Sequence, residues 1–132
     1  MARSKVDFSV LKKARNRINK DADYRRLGST DVKLAIAIGD DARLVTFEAF
    51  QVSSIEDLAV EDMRDAELIL QMSPKDWNGY LKKRKQGKGP SLLSLDLGSA
   101  VISASNPLHR LKLERYNRSL QAFVDACARY AA

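Results

Sequence analysis

The stretch Ala66–Leu81, AELILQMSPKDWNGYL, constrains this chain more than any other. Ala66, Leu68, Leu70 and Met72 alternate with Glu67, Ile69 and Gln71, the two-residue period of a strand with one buried face. A helix start follows at once. Ser73 can cap it, Pro74 suits a first helical position because that residue's N–H would have no helical acceptor, and Asp76 adds a negative charge to the first turn. Trp77, Tyr80, Leu81 and Arg84 then recur at three- and four-residue steps, which turns the single tryptophan inward. A strand that runs directly into an amphipathic helix must bury both apolar faces in the same space.

At 132 residues the chain is expected to form one domain, 1–132, with residues 1–26 as a basic N-terminal helical segment. No apolar run reaches the roughly 20 residues of a membrane span. The basic start lacks the unbroken apolar stretch of a secretory signal, and a lone cysteine, Cys127, suits a reducing compartment, so a cytoplasmic location is expected. The net charge of +6 is local. Residues 1–26 carry nine basic and three acidic side chains, residues 27–81 four and eleven, and residues 82–88 five and none. Such a distribution favours solubility over any one polyanion.

Residues 6–18 place Val6, Val10, Leu11, Ala14 and Ile18 on one helical face and Lys12, Lys13, Arg15 and Arg17 on the other. A second short helix is expected to end at Gly28. Val32, Leu34, Ile36 and Ile38 alternate with Lys33, Ala35 and Ala37, Gly39–Asp41 turns, and Leu44–Phe50 returns, predicting a hairpin. Residues 52–58 supply a third short strand, and AVEDMRD reads as an acidic loop. After the tryptophan helix, KKRKQGKG reads as a solvated loop with no aromatic residue among its charges on which bases could stack, so nucleic acid is not an expected partner. Its functional reading is weak contact with an anionic membrane through Lys82, Lys83, Arg84, Lys85 and Lys88. SLLSLDLG reads as a leucine-rich helical turn with Asp96 on its exposed side, and AVISAS as a last strand. A long helix then starts at Asn106 and Pro107, with Leu113, Tyr116, Leu120, Phe123, Cys127 and Tyr130 as its buried stripe.

Constellations for chemistry are sparse. His109 and Cys127 lie about 27 Å apart along one helix at ~1.5 Å per residue, too far for a nucleophile and base. There is no glycine-rich phosphate loop, no metal-ligand cluster and no serine in a nucleophile elbow, so no cofactor, metal or catalytic residue is assigned. Were the chain an enzyme on an apolar substrate, Asp96, His109 and the tyrosines would be its acid–base groups.

The segments DVKLAIAIGDDARLVTF, DAELILQMSPKDWNGYL and SLLSLDLGSAVISASNPLHRLKL, in this order of elements, resemble the sterol carrier protein type 2 family over most of residues 31–113. The resemblance implies an α/β (α+β) fold: a single five-stranded, mainly antiparallel sheet with helices packed on one face and an apolar cavity between them. Where that family carries Asp-Gly after its second strand, this chain has Glu48-Ala49-Phe50, and in place of Gly-Asp after the last strand it has Ser105-Asn106, so both turns must differ. The implied function is non-catalytic carriage of a lipid or other hydrophobic small molecule. A subunit that presents such a substrate to a partner enzyme is the alternative, and a small enzyme is the third. The expected ligand-facing residues are Leu68, Leu70, Met72, Trp77, Leu81, Leu92, Leu93, Leu95, Ile102, Leu108 and Leu111.

Overall fold

The computed structural model describes residues 6–131, so the first five residues of the expected basic segment, Arg3 and Lys5 among them, lie outside it. The alternating stretch forms strand β4 (Leu68–Met72). It lies parallel to β1 (Thr30–Ile38), whose other neighbour is the antiparallel β2 (Asp41–Ala49). With β3 (Gln51–Leu58) on β2 and β5 (Ile102–Ala104) on β4, the sheet order is β3-β2-β1-β4-β5, and among the described residues only the β1–β4 pair is parallel. That pair arises because the chain crosses from the β3 edge to the far side of β1.

Pairing register decides which residues share a face. Val32, Leu34, Ile36 and Ile38 stand beside Val45 and Phe47 on one side and Leu68, Leu70 and Met72 on the other, and all are buried. The opposite face carries exposed Lys33, Glu48, Glu56 and Gln71. Gly39 makes the two-residue β1–β2 turn at φ +62, and a side chain there would press on Pro74 Cγ at 3.3 Å. Its N–H donates to Met72 O at 3.0 Å, which joins the hairpin to the strand–helix junction.

Helix α1 (Ser9–Ile18) buries Val10, Leu11, Ala14 and Ile18 as its spacing predicts. Its basic face has a structural task too. Arg15 donates from Nε to Val52 O and from Nη2 to Ser53 O, both at 3.0 Å. Asn19 accepts from Val52 N at 2.8 Å and donates to Val52 O at 3.0 Å. These bonds serve the backbone where the β2–β3 register shifts at Thr46/Phe47 and the ladder cannot. Helix α2 (Ala22–Arg25) is capped by Asp21. The expected acidic loop is in fact a 3₁₀ helix, Val60–Asp65.

Helix α3 (Pro74–Lys85) starts as expected, with Ser73 Oγ accepting from Asp76 N at 3.1 Å, and buries Trp77, Tyr80 and Leu81. The basic run departs from expectation because Lys82–Lys85 continue this helix instead of forming a loop, where their charges suit the negative end of the helix. Helix α4 (Leu92–Ser99) and helix α5 (Pro107–Tyr130) complete the layer. Along α5, Leu113, Leu120, Phe123 and Cys127 are buried, Tyr116 is half-buried, and Tyr130 emerges at the end. The Phe123 ring meets Phe47 edge to face at 5.4 Å, fixing α5 over β2.

Two alanines adopt left-handed backbone, Ala49 in the β2–β3 turn and Ala100 at the end of α4, each at φ 50. A Cβ in that region costs about 1–2 kcal/mol, and glycine's extra unfolded-state freedom offsets part of the relief. Ala49→Gly and Ala100→Gly should therefore each stabilise the fold by about 0.5–1 kcal/mol, read as a higher urea midpoint. A lower midpoint would contradict the strain argument.

Candidate functional site

The sequence-derived ligand residues separate into three groups. Leu68, Leu70, Met72, Trp77, Leu81, Leu92 and Ile102 join one continuous buried cluster between sheet and helices. Leu93 and Leu95 are partly buried and pack against it. Leu108 and Leu111, on the first turns of α5, do not join it; they are 74% and 57% exposed because that face of α5 turns outward. Leu97 is likewise exposed.

Met72 and Leu95 meet at a cleft of about 440 Å³ between α3 and the α4–β5 connection. Tyr80 and Val101 extend its apolar lining, while Lys75 and Lys83 from α3 stand on its rim with Gln71, Asp76 and Ser99. The two lysines are eight residues apart on one helix, close to two turns plus one residue, so they mark the same side. An apolar lining with amines at the rim suits a molecule that has a hydrocarbon body and an anionic or hydrogen-bond-accepting head. In the sequence Lys75 carries no signal and Lys83 reads only as part of the basic run, because lysines on an exposed helix face are ordinary. Only the approach of α4 makes these two part of a cleft.

A polar network fixes the far wall. Tyr80 Oη donates to Pro90 O at 2.9 Å, and Gln121 Oε1 accepts from Leu92 N at 2.6 Å, tying the start of α4 to α3 and α5. Gln121 Nε2 donates to Asp125 Oδ1 at 2.9 Å, and the Asp125 carboxylate takes both Nε and Nη2 of Arg84 at 2.9 Å. Arg84 is therefore engaged within the fold, and the exposed Lys85 is tethered by its Nζ donating to Ala131 O at 2.7 Å, while Lys82, Lys83 and Lys88 stand exposed. Burial pushes the Tyr80 phenol above its ordinary pKa, so it stays a neutral donor.

Asp96 differs most from its sequence reading. It is buried, not on the exposed side of α4: Oδ1 accepts from Ile102 N at 2.8 Å and Oδ2 pairs with Arg110. The second end of α4 is thus tied to β5 and α5. Cys127 is fully buried, and burial raises its thiol pKa, which makes it an inert packing group. Among the described residues no group of three or more His, Cys, Asp or Glu could hold a metal ion, and no helix is long and apolar enough to cross a membrane.

Among the described residues, the five-stranded mixed sheet in the order found and the helices α1–α5 make a sterol carrier protein type 2-like α+β fold. A conserved hypothetical protein from Thermus thermophilus, described as a candidate sterol carrier protein, shares it over 100% of this chain and 94% of its own, at 15% identity and a TM-score of 0.72. A UbiJ-SCP2 ubiquinone synthesis protein matches over 92% of this chain and 96% of its own, at 14% identity and a TM-score of 0.46. No family model matches the chain, and no curated protein matches it.

Proposed function

We propose that the protein binds and carries a hydrophobic small molecule or lipid. The observation that carries this reading is the cleft where Met72, Tyr80, Leu95 and Val101 face Lys75 and Lys83 directly above the buried cluster. The fold shared with the Thermus thermophilus protein, itself described as a candidate sterol carrier, supports it. Leu68, Leu70, Trp77, Leu81, Leu92, Leu93 and Ile102 lie behind the cleft, and ligand would reach them only if α4 moved aside. Carriage needs no catalytic group, and its natural source of ligand would be a membrane. Lys82, Lys83, Lys85 and Lys88 offer the anionic-lipid contact; Arg84 is held by Asp125.

Titration with a fluorescent fatty acid should show saturable binding. Leu95→Trp, which fills the cleft, should weaken it by about tenfold or more, ~1.4 kcal/mol, in a variant that circular dichroism shows to be folded. Loading from vesicles should be faster when they contain anionic lipid, and the difference should shrink in a Lys82→Glu/Lys83→Glu variant. Equal affinity in wild type and Leu95→Trp would reject the cleft as the binding place. A second reading, a subunit that presents substrate to a partner enzyme, is favoured by the exposed Leu97, Leu108 and Leu111. It requires stable co-purification with that enzyme, and a monodisperse monomer in cell extract would count against it.

A further inference from the structure

Ser105, His109 and Glu67 stand in a hydrogen-bonded line that the carrier reading does not use. Ser105 Oγ is bonded to His109 Nδ1, and His109 Nε2 lies 3.3 Å from Glu67 Oε2. A carboxylate can only accept, so Nε2 carries the ring proton when the histidine is neutral. Nδ1 is then an acceptor and the Ser105 hydroxyl its donor. This is the order of nucleophile, base and orienting carboxylate used in acyl transfer, with the base acting through Nδ1.

The carboxylate is firmly placed. Its Oε1 accepts from Lys33 N at 3.0 Å and its Oε2 from Lys112 Nζ at 2.6 Å. Burial acts to raise the Glu67 pKa, but these hydrogen bonds hold it below the usual carboxylate value, so the group is ionised near neutral pH. The serine is placed as well, because its backbone N–H donates to Glu67 O at 3.3 Å. Ser105 is exposed and immediately precedes Asn106, the cap of the 24-residue α5. It therefore sits at the positive end of a long helix dipole, where first-turn amides such as that of Leu108 lack an acceptor within the helix. Negative charge developing on a carbonyl oxygen is favoured at such a position. On the next turns Leu108 and Leu111 border a groove of about 580 Å³ with Lys112, Glu114 and Arg115, and the two leucines offer apolar surface for an acyl chain.

We infer that Ser105 is a nucleophile toward acyl esters, with His109 as its base, Glu67 as the positioning residue, and the acyl chain lying against Leu108 and Leu111. Ser105 Oγ would bond to the ester carbonyl carbon as its proton passes to His109 Nδ1. Collapse of the tetrahedral species breaks the bond to the alcohol oxygen, which leaves with that proton. Water then attacks the acyl-serine, its proton passing through Nδ1 to Ser105 Oγ as the carboxylic acid departs. No oxidant, reductant or metal enters the balance. The inference is independent of the carrier reading, since it concerns a different surface.

The full chain should be treated with a fluorophosphonate probe and assayed separately with p-nitrophenyl butyrate. The expected result is probe attached at Ser105 by peptide mass spectrometry and nitrophenol release above the buffer rate. Ser105→Ala should abolish both, and His109→Gln should slow labelling by about 100-fold or more, the scale of a positioned general base. Both sites lie at the surface or near it, so circular dichroism should be unchanged. Glu67→Gln should lower kcat for p-nitrophenyl butyrate by about tenfold or more with KM little changed, because an amide no longer stabilises the ring charge formed as His109 takes the serine proton. A purely structural Glu67 would leave kcat in place. Absence of probe from Ser105 in the folded protein, or equal rates in wild type and His109→Gln, would overturn the inference.

Discussion

Replacing Trp77 by alanine should destabilise the protein by about 3–5 kcal/mol, a large part of the ~5–15 kcal/mol typical of a domain. Trp77 is 1% exposed within the cluster that also holds Leu68, Leu70 and Leu81, so truncation leaves a space that surrounding strands and helices cannot close. Urea unfolding followed by far-ultraviolet circular dichroism measures the effect, since the variant has no tryptophan left to report by fluorescence. The size of the loss also separates two roles for this side chain. A packed core residue forfeits both its transfer energy and its contacts, whereas a residue lining a pre-existing hydrated space forfeits fewer contacts. A loss below about 1.5 kcal/mol would place Trp77 at a cavity wall.

For Asp96→Ala the expected loss is about 2–3 kcal/mol. Most of it comes from the Ile102 N–H, which loses its acceptor in a buried place. Arg110 also loses its partner, but its side chain is 37% exposed and water can take up part of that charge, so the ion pair itself contributes little. Asp96→Asn keeps an oxygen for Ile102 N–H and should recover about half of the loss. Hydrogen exchange should show the Ile102 amide and α4 opening before the rest of the fold in Asp96→Ala. If exchange there is unchanged, Asp96 does not hold α4 in place. Because Leu95 and Ser99 of α4 line the cleft, the same variant connects stability with ligand access: the carrier reading expects faster loading of a fluorescent fatty acid in Asp96→Ala than in wild type.

The limits of sequence reading are visible in the contrast between Trp77 and Asp96. Trp77 repeats with Tyr80 and Leu81 at helical steps behind a Ser-Pro start, and each signal lies within a few residues of the next. Asp96 carries no such signal. Among leucines 92, 93, 95 and 97 it looks like the polar side of a short helix, and its partner Arg110 is 14 residues away on another element. The leucines show the same limit in reverse: Leu92 is buried and Leu97 exposed because α5 and β5 cover only one side of α4. Ser105 and His109 could have been noticed as a four-residue pair at a helix start. Glu67, which completes the line, is 38 positions before Ser105 and reaches it only through the β4–β5 pairing.

The sequence by itself determined the strand–helix unit at 66–81, the β1–β2 hairpin, the caps at Ser73 and Asn106, and the inward stripes of α1, α3 and most of α5. These follow from backbone periodicity, turn residues and unpaired terminal amides, all of which act over a few residues. Only the tertiary structure decided that β4 lies parallel to β1, that Lys82–Lys85 finish a helix, that Asp96 is buried against Arg110, and that Lys75 and Lys83 face Met72 and Leu95 across a cleft. Those outcomes depend on which distant groups come within a few ångströms, and burial and hydrogen-bond satisfaction set that for the chain as a whole.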